Sequence, residues 1–309
     1  MGRIKLKQIE LDTLLTVPCF DIVICSSGYE TRASFLADKL KDKKIDNKFV
    51  LSFKDNKDVS SRKKNDQIFE NLNYTFIEKD KDENTFLKDI LLLINDYPKD
   101  RHINILVDYS SMSRTWFASF INAFQYSNSN TSFYFSYSVA KFKNPNPNIS
   151  PSIKFDPIPG FNNLSIPDKP TALIIGLGYE KGRASGLIEY FDAQEVFLFH
   201  TDNEDYQNEI TKANKQIIKQ VKSDNIIPYP LKDIEYTYTI LSNICTELSD
   251  RYRIIIAPCG PKPFSIISYV IGLQLGYVDI WRISGENDPI KGNRLPSGEM
   301  IIFQLDKIN

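Results

Sequence analysis

A chain of 309 residues, 42% of them hydrophobic, is long enough for one large core or for two of ordinary domain size. Its 38 Lys and Arg offset 39 Asp and Glu, so no overall field exists to hold a polyanion or an anionic membrane, and the short basic runs Lys39–Lys44 and Arg62–Lys64 read as solvated faces. The N-terminal MGRIKLKQIELDTLL is charged throughout and no stretch reaches the roughly 18 apolar residues of a membrane span, so neither a signal peptide nor a transmembrane helix is expected, and the chain reads as soluble and cytoplasmic.

Near-continuous apolar runs rich in Ile, Val and Phe alternate with longer amphipathic stretches, the pattern of parallel strands covered on both faces by helices. In chain order the first half predicts a strand at Asp21–Cys25, a helix at Thr31–Leu40, a strand at Phe49–Phe53, a helix at Arg62–Glu70 and a strand at Tyr74–Ile77. A helix at Asn84–Asn95, a strand at Ile103–Asp108, a helix at Arg114–Tyr126 and a strand at Phe133–Val139 complete it. The second half repeats the order, with strands at Ala172–Ile175, Val196–His200, Ile226–Tyr229, Arg253–Ala257 and Val278–Ile283. Its helices fall at Arg183–Phe191, Tyr206–Val221, Tyr236–Asp250 and Phe264–Leu275. Between the halves the prolines and asparagines of KNPNPNISPSIKFDPIPGFNNLSIPDKP cannot continue either regular structure. The expected organisation is a first unit over 1–145, a linker over 146–168 and a second unit over 169–309.

Three separated points match between the halves. Gly28-Tyr29-Glu30 answers Gly178-Tyr179-Glu180, each followed shortly by Arg-Ala-Ser. FVLSFKDNKD, Phe49 to Asp58, answers VFLFHTDNED, Val196 to Asp205, so that Asp55-Asn56 and Asp202-Asn203 follow corresponding strands. VDYSSMSRTWF, from Val107, answers IAPCGPKPF, from Ile256. The fold class is therefore α/β, two Rossmann-like parallel-sheet units produced by tandem duplication.

All three points lie between a strand and a helix, at the carboxyl edge where open parallel sheets bind ligands. Gly176 and Gly178 permit close backbone approach before a helix N-terminus, a phosphate-accepting arrangement. Ser26, Ser27 and Gly28 stand in the same place in the first half, and an ordinary tight turn accounts for the glycines equally. Tyr29 and Tyr179 suit base stacking, and Arg32 and Arg183 suit phosphate clamping. The alternative is that Glu30 and Glu180 pair with those arginines and stiffen the turns. Ser110, Ser111 and Ser113 precede Arg114, and Cys259 and Gly260 precede Lys262, so each later loop ends on a cation at a helix start. Serine capping explains the hydroxyls but not the matched cation, which points to ligand contact. Asp55 and Asp202 are candidates for a ribose hydroxyl, or else turn formers.

The four cysteines form no Cys-x-x-Cys pair and the two histidines lack metal-ligand spacing, so neither a metal nor another cofactor is called for. Cys25 and Cys259 lie at the same edge without a nearby His and read as small hydrophobes. Asp108 adjoins the serine cluster, but the alignment sets Ile256 opposite it, so an acid–base role would exist in one half only.

At these residues the chain resembles the CRISPR-associated Rossmann-fold (CARF) sensors and their fused double form, the SAVED domain. Ser26 to Gly28 with Ser110 to Arg114, and Gly176 to Tyr179 with Cys259 to Lys262, look like the two ligand-binding elements of that group, although neither copy carries its Thr-Gly-Gly-Thr-Lys string. The resemblance implies two units about a pseudo-twofold axis, sharing a groove that binds a cyclic oligonucleotide or related phosphate-bearing metabolite. It also implies a role in bacterial anti-phage defence with a separate effector protein. Two other functions stay open from these residues: a nucleotide phosphodiesterase or glycosidase that works without metal, with Ser26, Ser27, Asp108, Ser110 and Lys262 as its polar groups, and an interaction scaffold whose clefts are relics, since the two copies differ in their polar residues. Membrane partners are not expected, and nucleic acid is not indicated.

Overall fold

Strands whose residues are buried on both faces need a covering layer on each side, and the chain supplies it twice. A computed structural model describes residues 3–55, 57–144, 154–162, 168–284 and 293–308. It divides into two units, Met1–Lys141 with Ile290–Asn309, and Phe142–Pro289. The first contains β1 (Arg3–Ile9), α1 (Leu11–Thr16), β2 (Phe20–Ser27), α2 (Phe35–Lys39), β3 (Ile45–Phe53), α3 (Ser60–Asn71), β4 (Thr75–Lys79), α4 (Phe86–Asn95), β5 (Ile103–Asp108), α5 (Arg114–Tyr126) and β6 (Thr131–Ala140). The second contains β7 (Lys154–Pro157), β8 (Thr171–Gly176), α6 (Arg183–Phe191), β9 (Glu195–Thr201), α7 (Glu204–Ala213), α8 (Lys215–Gln220), β10 (Ile226–Tyr229), α9 (Ile234–Leu248), β11 (Arg253–Pro258), α10 (Lys262–Leu275) and β12 (Val278–Ser284). The last strand, β13 (Pro296–Ile308), returns to the first sheet.

The strand orders are β1-β13-β6-β5-β2-β3-β4 and β10-β9-β8-β11-β12-β7. In each sheet the first five parallel strands follow the Rossmann-like order 3-2-1-4-5, with an antiparallel strand beside the fifth: β13 against β6, and β7 against β12. Every residue of β2 and of β6 is buried, as central parallel strands require. On one face of the first sheet, Val23, Leu36, Val50, Phe69, Leu106 and Ile302 form a continuous core. Helix α5 contributes buried Trp116, which stacks on Phe53 with ring centroids 4.3 Å apart. In the second unit Leu173, Ile175, Leu187, Leu198, Ile210 and Ile255 form the equivalent core.

Several elements coincide with the sequence reading, including β5, α5, α6 and β10. Two helices differ. The segment expected as a helix over Thr31–Leu40 begins as a 3-10 turn, Thr31–Ser34, because Arg32 and Ser34 turn inward to polar partners. The helix expected over Tyr206–Val221 breaks between α7 and α8 at Asn214, whose side chain bonds elsewhere.

The expected boundaries also shift. Within the 146–168 linker, Lys154–Pro157 is β7, paired with β12, while 145–153 and 163–167 lie outside the described residues. The second unit does not extend to 309: β13 pairs with β6 from Leu305↔Phe133 to Pro296↔Ala140, and with β1 from Ile9↔Ile302 to Arg3↔Ile308. Without it, the fully buried β6 would present a bare hydrogen-bonding edge. The signal for β1 is the alternation of Ile4 and Leu6 with exposed Lys5 and Lys7.

This assignment is testable through the two tryptophans, Trp116 in the first unit and Trp281 in the second. Phe303 is fully buried and stacks on Phe135 at 5.3 Å. Phe303→Ala is expected to destabilise the first unit by about 3–5 kcal/mol. In urea titrations of Trp281→Phe and Trp116→Phe backgrounds, the loss should fall on the Trp116 signal; a loss confined to Trp281 would return β13 to the second unit.

Candidate functional site

In each sheet the strand order reverses between the first and fourth strands of the Rossmann-like series, β2 and β5, then β8 and β11. The crevice beyond the carboxyl ends of such a pair is the general ligand position in open α/β sheets. The loops after these strands contain most of the residues singled out in the sequence.

In the first unit, a Cβ placed on Gly28 would stand 2.8 Å from Ser111 Cβ, so the two loops touch through the missing side chain. Asn65 of α3, 1% exposed, donates its amide to the carbonyls of Gly28 and Glu30, both at 2.9 Å, and accepts from the Ser34 hydroxyl at 3.1 Å. Ser61 donates to the Tyr29 carbonyl at 2.6 Å. Ser27 donates to Asp66 at 2.5 Å, and Asp66 is held by Arg62 at 2.8 Å. The Tyr29 ring stacks on Phe53 and its hydroxyl donates to the Asp55 carbonyl at 2.9 Å.

Glu30 pairs with Arg32 at 2.6 Å and meets Arg294 at 3.8 Å. Arg32 is 4% exposed, donates to the Ser138 carbonyl at 2.8 Å and lies over the Tyr137 ring at 4.8 Å. Its guanidinium is therefore committed inside the unit, along the stiffening alternative rather than the clamp.

The serine cluster divides by role. Ser113 caps α5 by accepting from the Trp116 N–H at 3.1 Å, and it donates to the Lys81 carbonyl at 2.5 Å. Ser110 is buried; its hydroxyl donates to Asp108 and accepts the Ser138 N–H at 2.7 Å. The buried hydroxyl oxygens of Ser26 and Ser111 have no hydrogen-bond partner among the described residues. Capping thus accounts for Ser113 alone, and half-buried Arg114 opens the helix.

The second unit locks the same two loops backbone to backbone. A Cβ on Gly176 would lie 2.4 Å from the Phe264 ring, one on Gly178 2.6 Å from the Cys259 carbonyl oxygen, and one on Gly260 2.5 Å from the Leu177 carbonyl oxygen. The Cys259 N–H donates to the Gly176 carbonyl at 2.9 Å. Glu180 pairs with Arg183 at 3.4 Å, Tyr179 beside them is half-buried, and half-buried Lys262 opens α10.

Asn214 donates to the Gly178 carbonyl at 2.8 Å, as Asn65 does to Gly28. The separations are 36 and 37 residues. This fourth matched point escaped the sequence reading, yet its signal is present: KKNDQIF, Lys63 to Phe69, and KANKQII, Lys212 to Ile218, share Lys-x-Asn-x-Gln-Ile.

Strand register corrects two alignments. The Lys54 and Asp202 N–H groups make the same bond past the end of their strands, to Lys79 O at 3.3 Å and Tyr229 O at 3.0 Å, so Asp202 corresponds to Lys54 and not to Asp55. Asp55 is exposed, and Asp202 accepts from the Leu231 N–H at 3.4 Å, away from the paired loops. Asn56 lies outside the described residues. Likewise Ile24 pairs with Val107 and Ile174 with Ile256, which sets Ala257 rather than Ile256 opposite Asp108. Two thiols are inert by position: burial pushes Cys25 well above its ordinary pKa, with Asp108 adding to the shift, and burial pushes Cys245 up to about 12. Among the described residues no cluster of His, Cys, Asp or Glu could hold a metal ion, and no helix is long and apolar enough to cross a membrane.

Fold and site together define an α/β protein of two Rossmann-like units, each bringing the same two loops together at its switch point. No protein-family model and no curated protein matches the chain. Among solved structures, the cytoplasmic domain of a prokaryotic cation chloride cotransporter aligns over 87% of this chain and 97% of its own at 8% identity, with a TM-score of 0.25, too low to inform either fold or function.

Asn65→Ala and Asn214→Ala should each lower stability by about 1–3 kcal/mol, since a buried carbonyl loses its donor. Urea unfolding monitored by circular dichroism measures this, and wild-type midpoints in both variants would refute the anchoring role. Thiol titration with a chromogenic disulfide should modify Cys19 and Cys259, both partly exposed, in the native protein, and Cys25 and Cys245 only after denaturation.

Proposed function

We propose that this protein is a nucleotide-binding sensor or regulatory subunit that takes a cyclic oligonucleotide or a related phosphate-bearing metabolite at the carboxyl edges of its sheets. The observation that carries this reading is the coincidence, in both units, of a glycine-mediated loop contact at the switch point with a cation as the first residue of the following helix, Arg114 of α5 and Lys262 of α10. Arg114 and Lys262 begin helices of 13 and 14 residues, whose N-termini carry a partial positive charge that suits phosphate. Resemblance to the CRISPR-associated Rossmann-fold sensors supports a role in bacterial anti-phage defence, with the output delivered by a separate effector protein.

A second reading has one observation in its favour. In the first unit the Ser110 hydroxyl donates to Asp108, a pairing from which a phosphodiesterase or glycosidase acting without metal would draw its acid–base group. Calorimetric titration with a panel of linear and cyclic nucleotides tests the leading reading. Arg114→Ala and Lys262→Ala should each weaken binding roughly tenfold, the loss of a charge-assisted phosphate contact. Unchanged affinity in both variants would remove the site. Chromatography after long incubation separates the readings, because a sensor returns its ligand intact.

A further inference from the structure

The two sheets provide an internal control for what their shared backbone requires. Val107 of β5 pairs with Phe135 of β6, and Ile256 of β11 pairs with Ile280 of β12. Together with Ile24↔Val107 and Ile174↔Ile256, these registers place Asp108 opposite Ala257, Ser110 opposite Cys259, Ser136 opposite Trp281 and Ser138 opposite Ile283. Ser27 matches Leu177 through the flanking glycines. In the second unit these positions carry hydrophobic side chains: Ala257 and Leu177 belong to its core, and Cys259, Trp281 and Ile283 pack against it, the buried Trp281 indole N–H having no hydrogen-bond partner among the described residues. In the first unit every one of them is polar, and each is at most 1% exposed.

The fold therefore does not need polarity here, and polarity has a cost. The hydroxyls of Ser136 and Ser138 have no hydrogen-bond partner among the described residues, which destabilises a folded chain unless a water or another group completes them. They adjoin a connected network: Ser136 faces Asp108 across the strand pair, Asp108 accepts from Ser110, and Ser110 accepts the Ser138 N–H. The 3-10 turn Thr31–Ser34 covers this ground through Arg32 on the Ser138 carbonyl. The turn is held from the other side by Asn293, which accepts from the Thr31 N–H at 2.8 Å, and by the Arg294 carbonyl, which accepts from the Arg32 N–H at 3.3 Å. Arg32, Ala33 and Ser34 are themselves buried and the Ser34 hydroxyl bonds to Asn65, so a ligand reaches this ground only when the turn opens as a unit.

We infer that the first unit, and not the second, holds a hydroxyl-bearing moiety, the ribose of a nucleotide, against Asp108, Ser136 and Ser138 once the Thr31–Ser34 turn lifts. Asp108 accepts hydrogen bonds from the Ser110 N–H and hydroxyl, and a ribose hydroxyl can likewise donate to it while exchanging bonds with the two serines. Phosphate, itself an acceptor, stays with the cation at the start of α5. This assignment rests on the nucleotide reading above and adds to it which unit binds and through which part of the ligand.

The test compares ribonucleoside monophosphates of the four common bases with their 2′,3′-dideoxy counterparts and with ribose 5-phosphate, by calorimetry on the full chain. The dideoxy forms are expected to bind roughly tenfold more weakly, because each lost hydroxyl leaves buried polar groups unsatisfied. Ser136→Ala and Ser138→Ala should weaken ribonucleotide binding by a similar factor while leaving the thermal midpoint unchanged or raised, since each removes an orphaned hydroxyl. A merely structural serine would lower the midpoint and leave the ribose preference intact. Ribose 5-phosphate binding, lost in Ser136→Ala, would assign recognition to the sugar phosphate without the base; nucleotide binding without it would assign a base contact in addition. Equal affinity for ribo and dideoxy forms with Arg114→Ala still impaired overturns the ribose site alone. Binding of none of the probes at millimolar concentration overturns both this assignment and the nucleotide reading.

Discussion

The constraint on which the rest of the structure depends is the contact between two strand-to-helix loops at the end of each sheet. A side chain at Gly28 would collide with Ser111, and side chains at Gly178 or Gly260 would collide with the facing backbone. Glycine at these positions lets the loops close to a distance no other residue permits. A buried asparagine from the helical segment after the following strand then satisfies the glycine carbonyl, as Asn65 and Asn214 both do. Loop conformation, and with it the position of Arg114 and Lys262, follows from that closure. Rigidity at such a point is what a binding edge needs, because side chains hold a ligand only as well as the backbone beneath them is held.

Around this shared device the two units have diverged in chemistry and not in architecture. The first builds the floor of its carboxyl edge from Asp108, Ser110, Ser136 and Ser138; the second builds it from Ala257, Cys259, Trp281 and Ile283. Hydrophobic packing at these positions favours stability, and partly unsatisfied hydroxyls cost it. Glu30 and Glu180 illustrate the common part: each is engaged by an arginine two or three residues on, so the Gly-Tyr-Glu segment stiffens its own turn. The feature that looked most like a phosphate clamp is thus largely structural, and the more unusual chemistry lies beneath it.

Much of this was legible in the residues alone. Apolar runs mark the central parallel strands because burial on both faces, complete in β2 and β6, leaves no polar alternation, and β5, α5, α6 and β10 fall where periodicity places them. The repeated Gly-Tyr-Glu marks the two equivalent turns. Asn65 and Asn214 were legible too, through Lys-x-Asn-x-Gln-Ile, but a polar residue inside an amphipathic helix reads as solvent-facing until a carbonyl is found opposite it.

Local pattern, then, determined the class of fold, the number of units and the loops that matter, since each of these depends on the spacing of apolar and turn residues along a continuous stretch. Tertiary structure alone decided three further things. It brought β13 back to β6 across most of the chain, a pairing between residues 133–140 and 296–305 that no local window contains. It set the strand register that separates Asp202 from Asp55 and Asp108 from Ile256, because a one-residue slip leaves hydrophobic runs looking the same while changing every neighbour. And it showed that equivalent positions are polar in one unit and apolar in the other, which depends on which strand lies beside which, and therefore on contacts that the linear order of residues does not contain.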